Sequence, residues 1–388
     1  MEDKENFFSE KKFIPVCVPW LPGNEKKYVL EALETNWISS QGKYIEKFEE
    51  GFSKFCGVKY GVACSNGFAS LHLACLAFNL KKGDEVIVPS FTMAAPVHAV
   101  ILTGAAPVLI DADPDTYCID ADKIEEKITK RTKAIIVVHI YGHPCAMDKI
   151  MDIAKKYKLK VIEDTAEAHG AEYKGKKCGS IGDIGCFSFY ANKILTIGEG
   201  GMAITNNQSY YEKMRKLRNY AFEHPRFLHK EFGVNYRLTN IQAAIGHAQV
   251  ENAEMLVEAR KKIGEKYNEL LKDVKGIKLP IEKPNCKNVY WMYGIVLTKE
   301  IKENREKIVE QLKDKGIDTR NFFIPMHRQP VFYEGKVENA PDCNEEFPIA
   351  DALGKRGFYL PSSSNLTKDE LEYICNELRI ILQRILKK

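Results

Sequence analysis

Residues 133–157, KAIIVVHIYGHPCAMDKIMDIAKKY, and residues 160–171, KVIEDTAEAHGA, decide the fold. Each opens on an apolar run with no polar residue alternating through it, so the strand it forms is covered on both faces. A helical segment stands between the runs, and residues 85–113, EVIVPSFTMAAPVHAVILTGAAPVLIDAD, repeat the arrangement upstream. Strands alternating with helices predict a parallel sheet between helix layers, an α/β fold. Ligands of such sheets bind beyond the carboxyl ends of the strands. That rule singles out Asp111, Asp113, His139, Glu163 and Asp164. Asp164 closes the strand KVIED, where capping a helix is the alternative use of an acid.

Downstream, the β-formers Cys186 to Tyr190 lead to Lys193, after which Gly198, Gly200 and Gly201 break the strand. An amine is thereby placed at a strand end, although a lone loop lysine is ordinarily solvated. Upstream, YGVAC, SNGFAS and LHLACLAFNL read as strand, turn and helix from Tyr60. Gly67 lets the backbone approach a ligand, and Phe68, Ala69 and Ser70 offer N–H groups at a helix N-terminus, where an anion is favoured. A plain helix cap is the alternative, and neither GxGxxG nor a P-loop spacing is present. Nearer the start, Val29, Leu30 and Leu33 are spaced for one helix face, and Trp37, Ser39 and Gly42 fall in a turn.

Residues 233–246 read as a loop entering a helix, with Thr239 or Asn240 as the cap. A long charged helix is expected from about 249 to 274, with Leu256, Ile263, Tyr267 and Leu270 on its apolar stripe. Shorter alternating elements follow. The expected division is an N-terminal arm over 1–24, a large domain over 25–250, and a connecting helix with a smaller α/β domain over 251–388.

With 388 residues and 45% hydrophobic content, a sizeable core can be buried. The eleven cysteines are scattered with no CxxC pair, which fits reduced packing residues and predicts no metal site. A net charge of +4 with interleaved acids argues against a nucleic-acid surface. The charged first residues and the lack of a long apolar run predict a cytoplasmic protein with no membrane contact.

An amine at Lys193, a carboxylate at Asp164 and N–H donors at Gly67 are the three attachments that pyridoxal 5′-phosphate needs: one for its aldehyde, one for its ring nitrogen, one for its phosphate. The sequence also resembles the DegT/DnrJ/EryC1/StrS sugar aminotransferases through eight blocks in family order. These are NWISSQGKYIEKFE, SNGFASLHLA, GDEVIVPSFT, YGHPCAMDKI, VIEDTAEAHGA, GDIGCFSFYANKILTIGEGGMAITN, GVNYRLTNIQAAIG and FFIPMHRQPVF. The resemblance implies a fold type I transferase, with a mostly parallel seven-stranded sheet in the large domain. It implies that Lys193 joins the cofactor covalently and later shuttles protons. By the same resemblance Asp164 binds the ring nitrogen, and Ser188 takes the phosphate with the backbone of Gly67, Phe68 and Ala69. Glu167 lies near the phenolic oxygen, Met93 stands where relatives stack an aromatic ring, and Asn235 reaches the cofactor of a neighbouring subunit. Trp37, Ser39, Arg237 and His327 match substrate-pocket positions, a structural role being the alternative for each.

The implied activity moves an amino group from L-glutamate, leaving 2-oxoglutarate, to a keto-sugar through pyridoxamine 5′-phosphate, in a homodimer with shared sites. A nucleotide-linked 4-keto-6-deoxyhexose is the expected acceptor. A small keto-sugar or ketose phosphate is the alternative, because Phe68, Met93 and the loop after Tyr220 depart from the family pattern. Two further readings are a deoxysugar dehydratase, which would replace Lys193 by histidine, and a cofactor-binding regulator, against which the retained Lys193, Asp164 and Ser188 argue.

Overall fold

The computed structural model describes residues 13–333 and 335–387; the first twelve residues of the expected arm lie outside the described residues. Seven strands form the main sheet: β1 (Tyr60–Cys64), β2 (Glu85–Pro89), β3 (Ala106–Ile110), β4 (Thr132–Val138), β5 (Lys160–Asp164), β6 (Ile184–Ser188) and β7 (Gly201–Thr205). Their order is β1-β7-β6-β5-β4-β2-β3. Only β7 runs against its neighbours; β2 through β6 pair in parallel. The α/β class with a mostly parallel seven-stranded sheet is therefore as expected. Register fixes the site, because Val138 lies opposite Asp164 and Asp164 opposite Cys186. The carboxyl ends of β4 and β5 are thus level, and β6 runs two residues further, to Ser188.

Apolar side chains from both faces of these strands are buried, including Val161, Ile162, Cys186 and Phe187, as is Phe189 just beyond β6. Helix Lys43–Cys56 lays Phe48 and Phe52 against β6: Phe52 meets Phe187 edge-on at 4.8 Å and Phe48 meets Phe189 at 5.0 Å. Such edge-to-face pairs place the positive ring rim on the negative face.

A second, antiparallel sheet comprises β8 (Ile277–Lys278), β9 (Tyr293–Leu297), β10 (Arg320–Asn321) and β11 (Gly357–Leu360), ordered β8-β9-β11-β10. Its Tyr293, Ile295 and Phe358 pack with Leu371, Ile374 and Leu378 in a separate apolar cluster. These last come from helix Lys368–Leu386, begun by a Thr367–Glu370 capping box.

The helix entered at Thr239 is Asn240–Glu251, and the long helix expected from about 249 to 274 is Ala253–Leu271, four residues later at its start. Asn252 separates them: its side-chain amide donates to the Ala248 carbonyl at 3.1 Å, competing with the helical ladder. The second helix starts among the main-sheet core at Leu256 and Val257 and ends in the other cluster at Ile263, Tyr267 and Leu271. Thr239 is the cap of the first, in a capping box with Gln242.

The apolar face expected on the first helix, Glu25–Glu34, is only partly packed: Val29 lies against the main core, whereas Leu30 and Leu33 are exposed. Residues 14–18 run along the second sheet, where Ile14 N–H donates to Gly316 O at 2.7 Å and Val18 N–H to Ser363 Oγ at 2.8 Å. Among the described residues no helix is long and apolar enough to cross a membrane.

Candidate active site

The acids that end strands sort by how many hydrogen bonds they already accept. Asp111 accepts from the N–H groups of Ala350 at 2.8 Å and Ile349 at 3.2 Å, which makes it the tertiary cap of helix Pro348–Arg356. Asp113 closes a turn by accepting from Asp115 and Thr116. Glu163 accepts from Gly179, Ile181 and Gly182 N–H at 2.6–2.9 Å and from His139 at 3.0 Å. His139 Nδ1 receives the Cys145 N–H, so its proton sits on Nε2 and points at Glu163. That assignment leaves His139, Glu163 and Cys178, whose polar atoms lie within 4.8 Å of one another, no lone pair to offer a cation from the imidazole.

Asp164 differs. Adjacent residues of a strand point to opposite faces, and among the described residues Asp164 accepts only the Ala166 N–H, at 3.0 Å. It is 5% exposed. Burial pushes its carboxyl up to about 6, against the pull of the Ala166 N–H and Lys193. Glu167 is also buried, accepts from Tyr141 N–H at 2.8 Å, and is pushed by burial up to about 7.

Lys193 sits in a loop closed on itself: Phe189 N–H donates to Gly200 O at 2.8 Å, Ile197 N–H to Phe189 O at 2.9 Å, and Lys193 N–H to Tyr190 O at 2.9 Å. Burial brings its amine down to about 8, while Glu167 and Asp164 oppose the shift. Nζ lies 3.5 Å from the ring centroid of Trp291. Nothing local in VYWMYG marks this tryptophan; only the fold joins it to a residue 98 positions away.

The predicted cradle forms where helix Gly67–Ala77 begins against the end of β6. A Cβ on Gly67 would lie 2.7 Å from that of Ser188, and one on Gly201 would strike the Asn66 carbonyl at 2.1 Å. Glycine is therefore what allows the cradle to approach both strands. Asn66 is the cap and accepts the Ala69 N–H at 2.8 Å. Of the three expected donors, Ala69 is thus engaged, and Gly67 and Phe68 carry the N–H groups that an intrahelical ladder leaves over. Among the described residues, Thr92 Oγ1 and Asn192 Oδ1 are buried without a hydrogen-bond partner.

The remaining candidates lie as follows. Met93 is 54% exposed, and its sulfur accepts the Ala95 N–H at 3.1 Å. Asn235 is exposed and bridges to Asn219. Arg237 donates to Asn219 Oδ1 at 2.8 Å and lies over the Tyr220 ring. Trp37 and Ser39 use their carbonyls to accept from Asn240, and both are exposed. His327 is buried with both ring nitrogens engaged, Nδ1 with Ser90 Oγ at 2.6 Å and Nε2 with Asp351 at 3.1 Å. Ser90 is fully buried, so this serine, histidine and aspartate tie elements together and present no nucleophile.

Residues 21–379 match the model of the DegT/DnrJ/EryC1/StrS aminotransferase family. The chain is 43% identical over 368 residues to a GDP-perosamine synthase of Escherichia coli O157:H7, covering 95% of this chain and 98% of that one. It is 43% identical over 374 residues to a GDP-perosamine synthase of Caulobacter vibrioides, with the same coverage of 95% and 98%. Among solved structures, S. venezuelae DesV with an intermediate bound superposes with a TM-score of 0.85 at 30% identity, over 92% of this chain and 94% of that one.

Proposed function

This chain belongs to the DegT/DnrJ/EryC1/StrS aminotransferase family of pyridoxal phosphate enzymes, and from that premise we propose that it moves the amino group of L-glutamate to a nucleotide-linked 4-keto-6-deoxyhexose. The observation that carries the acceptor class is the 43% identity, over 95% of the chain, to proteins named GDP-perosamine synthase. The residues fit the cofactor. Gly67 packs against Ser188 so closely that a side chain would fill the cradle, Asp164 keeps lone pairs to spare, and Asn192 leaves a buried oxygen unpartnered next to Lys193.

Ser188 and the N–H groups of Gly67 and Phe68 would hold the phosphate, with Ala69 holding the turn through Asn66 rather than donating. Asp164 would hold the proton of the ring nitrogen. A cation placed against this carboxyl returns it to the ionised form, reversing the upward push of burial. When bound, the cofactor supplies a conjugated cationic ring that takes up the electron pair released when a proton leaves carbon.

Lys193 would anchor the cofactor and, once displaced by the incoming amine, take and return a proton at Nζ. A value near 8 leaves a usable fraction in each form at neutral pH. Glu167, held by the Tyr141 N–H, would stand toward the phenolic oxygen and would give or accept a proton there. Asn235 and the unpacked Leu30 and Leu33 support a homodimer in which each chain completes its partner's site. Met93 would pack on the ring by its thioether, and Trp37, Ser39, Arg237 and His327 would line or brace the acceptor pocket.

The test is spectroscopic. The chain with pyridoxal phosphate should absorb in the visible range, lose that band on adding L-glutamate, and regain it with the right acceptor. Recovery with nucleotide-linked keto-sugars and not with ketose phosphates is expected; the converse would overturn the acceptor assignment. Lys193→Ala should bind the cofactor without the band and transfer no amino group.

A further inference from the structure

The face of the lysine site that does not belong to the sheet is supplied by Trp291. The 3.5 Å from Lys193 Nζ to the ring centroid is well inside the roughly 6 Å over which an aromatic face attracts a cation. Trp291 is buried, so little solvent screens the contact. The residue is also held at three points, two of them on the ring. Its Nε1–H donates to the Asn192 carbonyl at 2.9 Å. The Trp291 carbonyl accepts from Nη1 of Arg260, a buried guanidinium that also donates to Ser364 Oγ at 3.0 Å. The indole stacks on Tyr141 at 6.3 Å and 28°, and the Tyr141 N–H holds Glu167. Lysine, tryptophan, tyrosine and glutamate therefore form one chain of contacts.

We propose that Trp291 is a positioning residue for the reaction: its ring face is the seat that holds the Lys193 ammonium whenever the lysine is not covalently engaged. This inference rests on the reading of Lys193 as the reactive amine. A loose lysine on a four-carbon stem samples many rotamers, and each must be given up before a proton can move. A fixed aromatic face replaces that search with one site. It also favours the charged form, partly offsetting the burial that works against it.

Replacing the indole by an apolar side chain keeps the burial and removes the attraction, so the ammonium should lose its proton at lower pH. Competitive labelling of the full-length, cofactor-free chain with trace acetic anhydride reads this directly, by peptide mass spectrometry across pH, with exposed Lys26 as the internal reference. In Trp291→Leu the Lys193 midpoint should fall by about one pH unit, a tenfold change in its ionisation. In Trp291→Phe, which keeps a ring but lacks the N–H to Asn192, the fall should be smaller. The loaded variants should show a lower kcat with little change in KM for L-glutamate.

A folded variant with an unchanged or raised midpoint would overturn the proposal, even if its activity falls. If the leucine variant does not fold, the phenylalanine variant alone decides by the same criterion. Failure of the wild-type chain to bind pyridoxal phosphate would instead strike at the functional reading, and the labelling midpoints would stand apart from it.

Discussion

Glu163 and Asp164 are consecutive residues at the end of one strand, yet the two sides of the sheet treat them oppositely. The side that receives Glu163 offers three backbone N–H groups and the His139 imidazole. Burial pushes this carboxyl up, but His139 and the backbone donors outweigh it and hold it below the ordinary range. The side that receives Asp164 offers one N–H group and leaves burial dominant. A saturated buried acid is part of the fold, whereas a starved one is kept for something that arrives later. The difference cannot be read from residue type or from position along the strand.

Asp164→Asn should break the comparison most visibly. An amide cannot hold the ring-nitrogen proton as a carboxylate does, and a loss of about a thousandfold in kcat/KM is expected, on the order of 4 kcal/mol of transition-state stabilisation. Stability should move the other way. Because the folded-state value is raised to about 6, Asp164 contributes stability that is present below the unfolded value of about 3.9 and is lost as pH rises through 6. Glu167, raised to about 7, adds to the same loss up to that pH. Lys193, lowered to about 8, contributes stability only above its unfolded value of about 10.4, and that is lost as pH falls through 8. Denaturant melts of the cofactor-free protein should therefore show Asp164→Asn to be more stable than the parent at pH 7.5, by about 3 kcal/mol. Near pH 4 the two should agree. A variant less stable than the parent at pH 7.5 would place Asp164 with Glu163.

Glu163→Gln is the converse. One oxygen becomes an NH2 that must face either two backbone N–H groups or the His139 and Gly179 donors. His139 cannot turn acceptor without setting its other nitrogen against the Cys145 N–H. A stability loss of about 3 kcal/mol follows, the upper scale for leaving buried donors without an acceptor. Activity per folded molecule should change by no more than a few-fold. Urea midpoints together with assays well below the transition separate the two quantities; a thousandfold loss in folded protein would move Glu163 into the reaction.

The sequence carried much of this arrangement because its signals are local. Uninterrupted apolar runs specify buried parallel strands, and Gly67 and Lys193 stand where a strand gives way to a turn. Asn66, which engages the Ala69 N–H, sits inside the same six residues. What the chain did not disclose depends on distance in sequence. Trp291 meets Lys193 only after the second sheet has folded back, and Arg260 fixes Trp291 from a third element. The junction between the two helices is expected a few residues before Asn252, because an asparagine is tolerated within a helix unless its amide finds a carbonyl. Leu30 and Leu33 show the limit of periodicity, which gives a helix face without saying what covers it.

Asp111 gives the smallest and narrowest test. Like Asp164 it closes a parallel strand of the main sheet and is nearly inaccessible, so exposure does not separate them. Its oxygens, however, are taken by the first N–H groups of helix Pro348–Arg356, with Lys123 Nζ 3.6 Å away. Asp111→Ala should then cost about 1–2 kcal/mol, the value of a lost helix cap, and Asp111→Asn only part of that, since an amide oxygen can still accept. Both should leave kcat/KM of the folded protein near that of the parent. Urea midpoints of the pair, measured against Asp164→Asn at the same pH, give opposite signs if hydrogen-bond saturation is what separates structural from reactive strand-end acids. Equal signs for Asp111→Ala and Asp164→Asn would leave strand position alone as the common factor and remove the distinction drawn at β5.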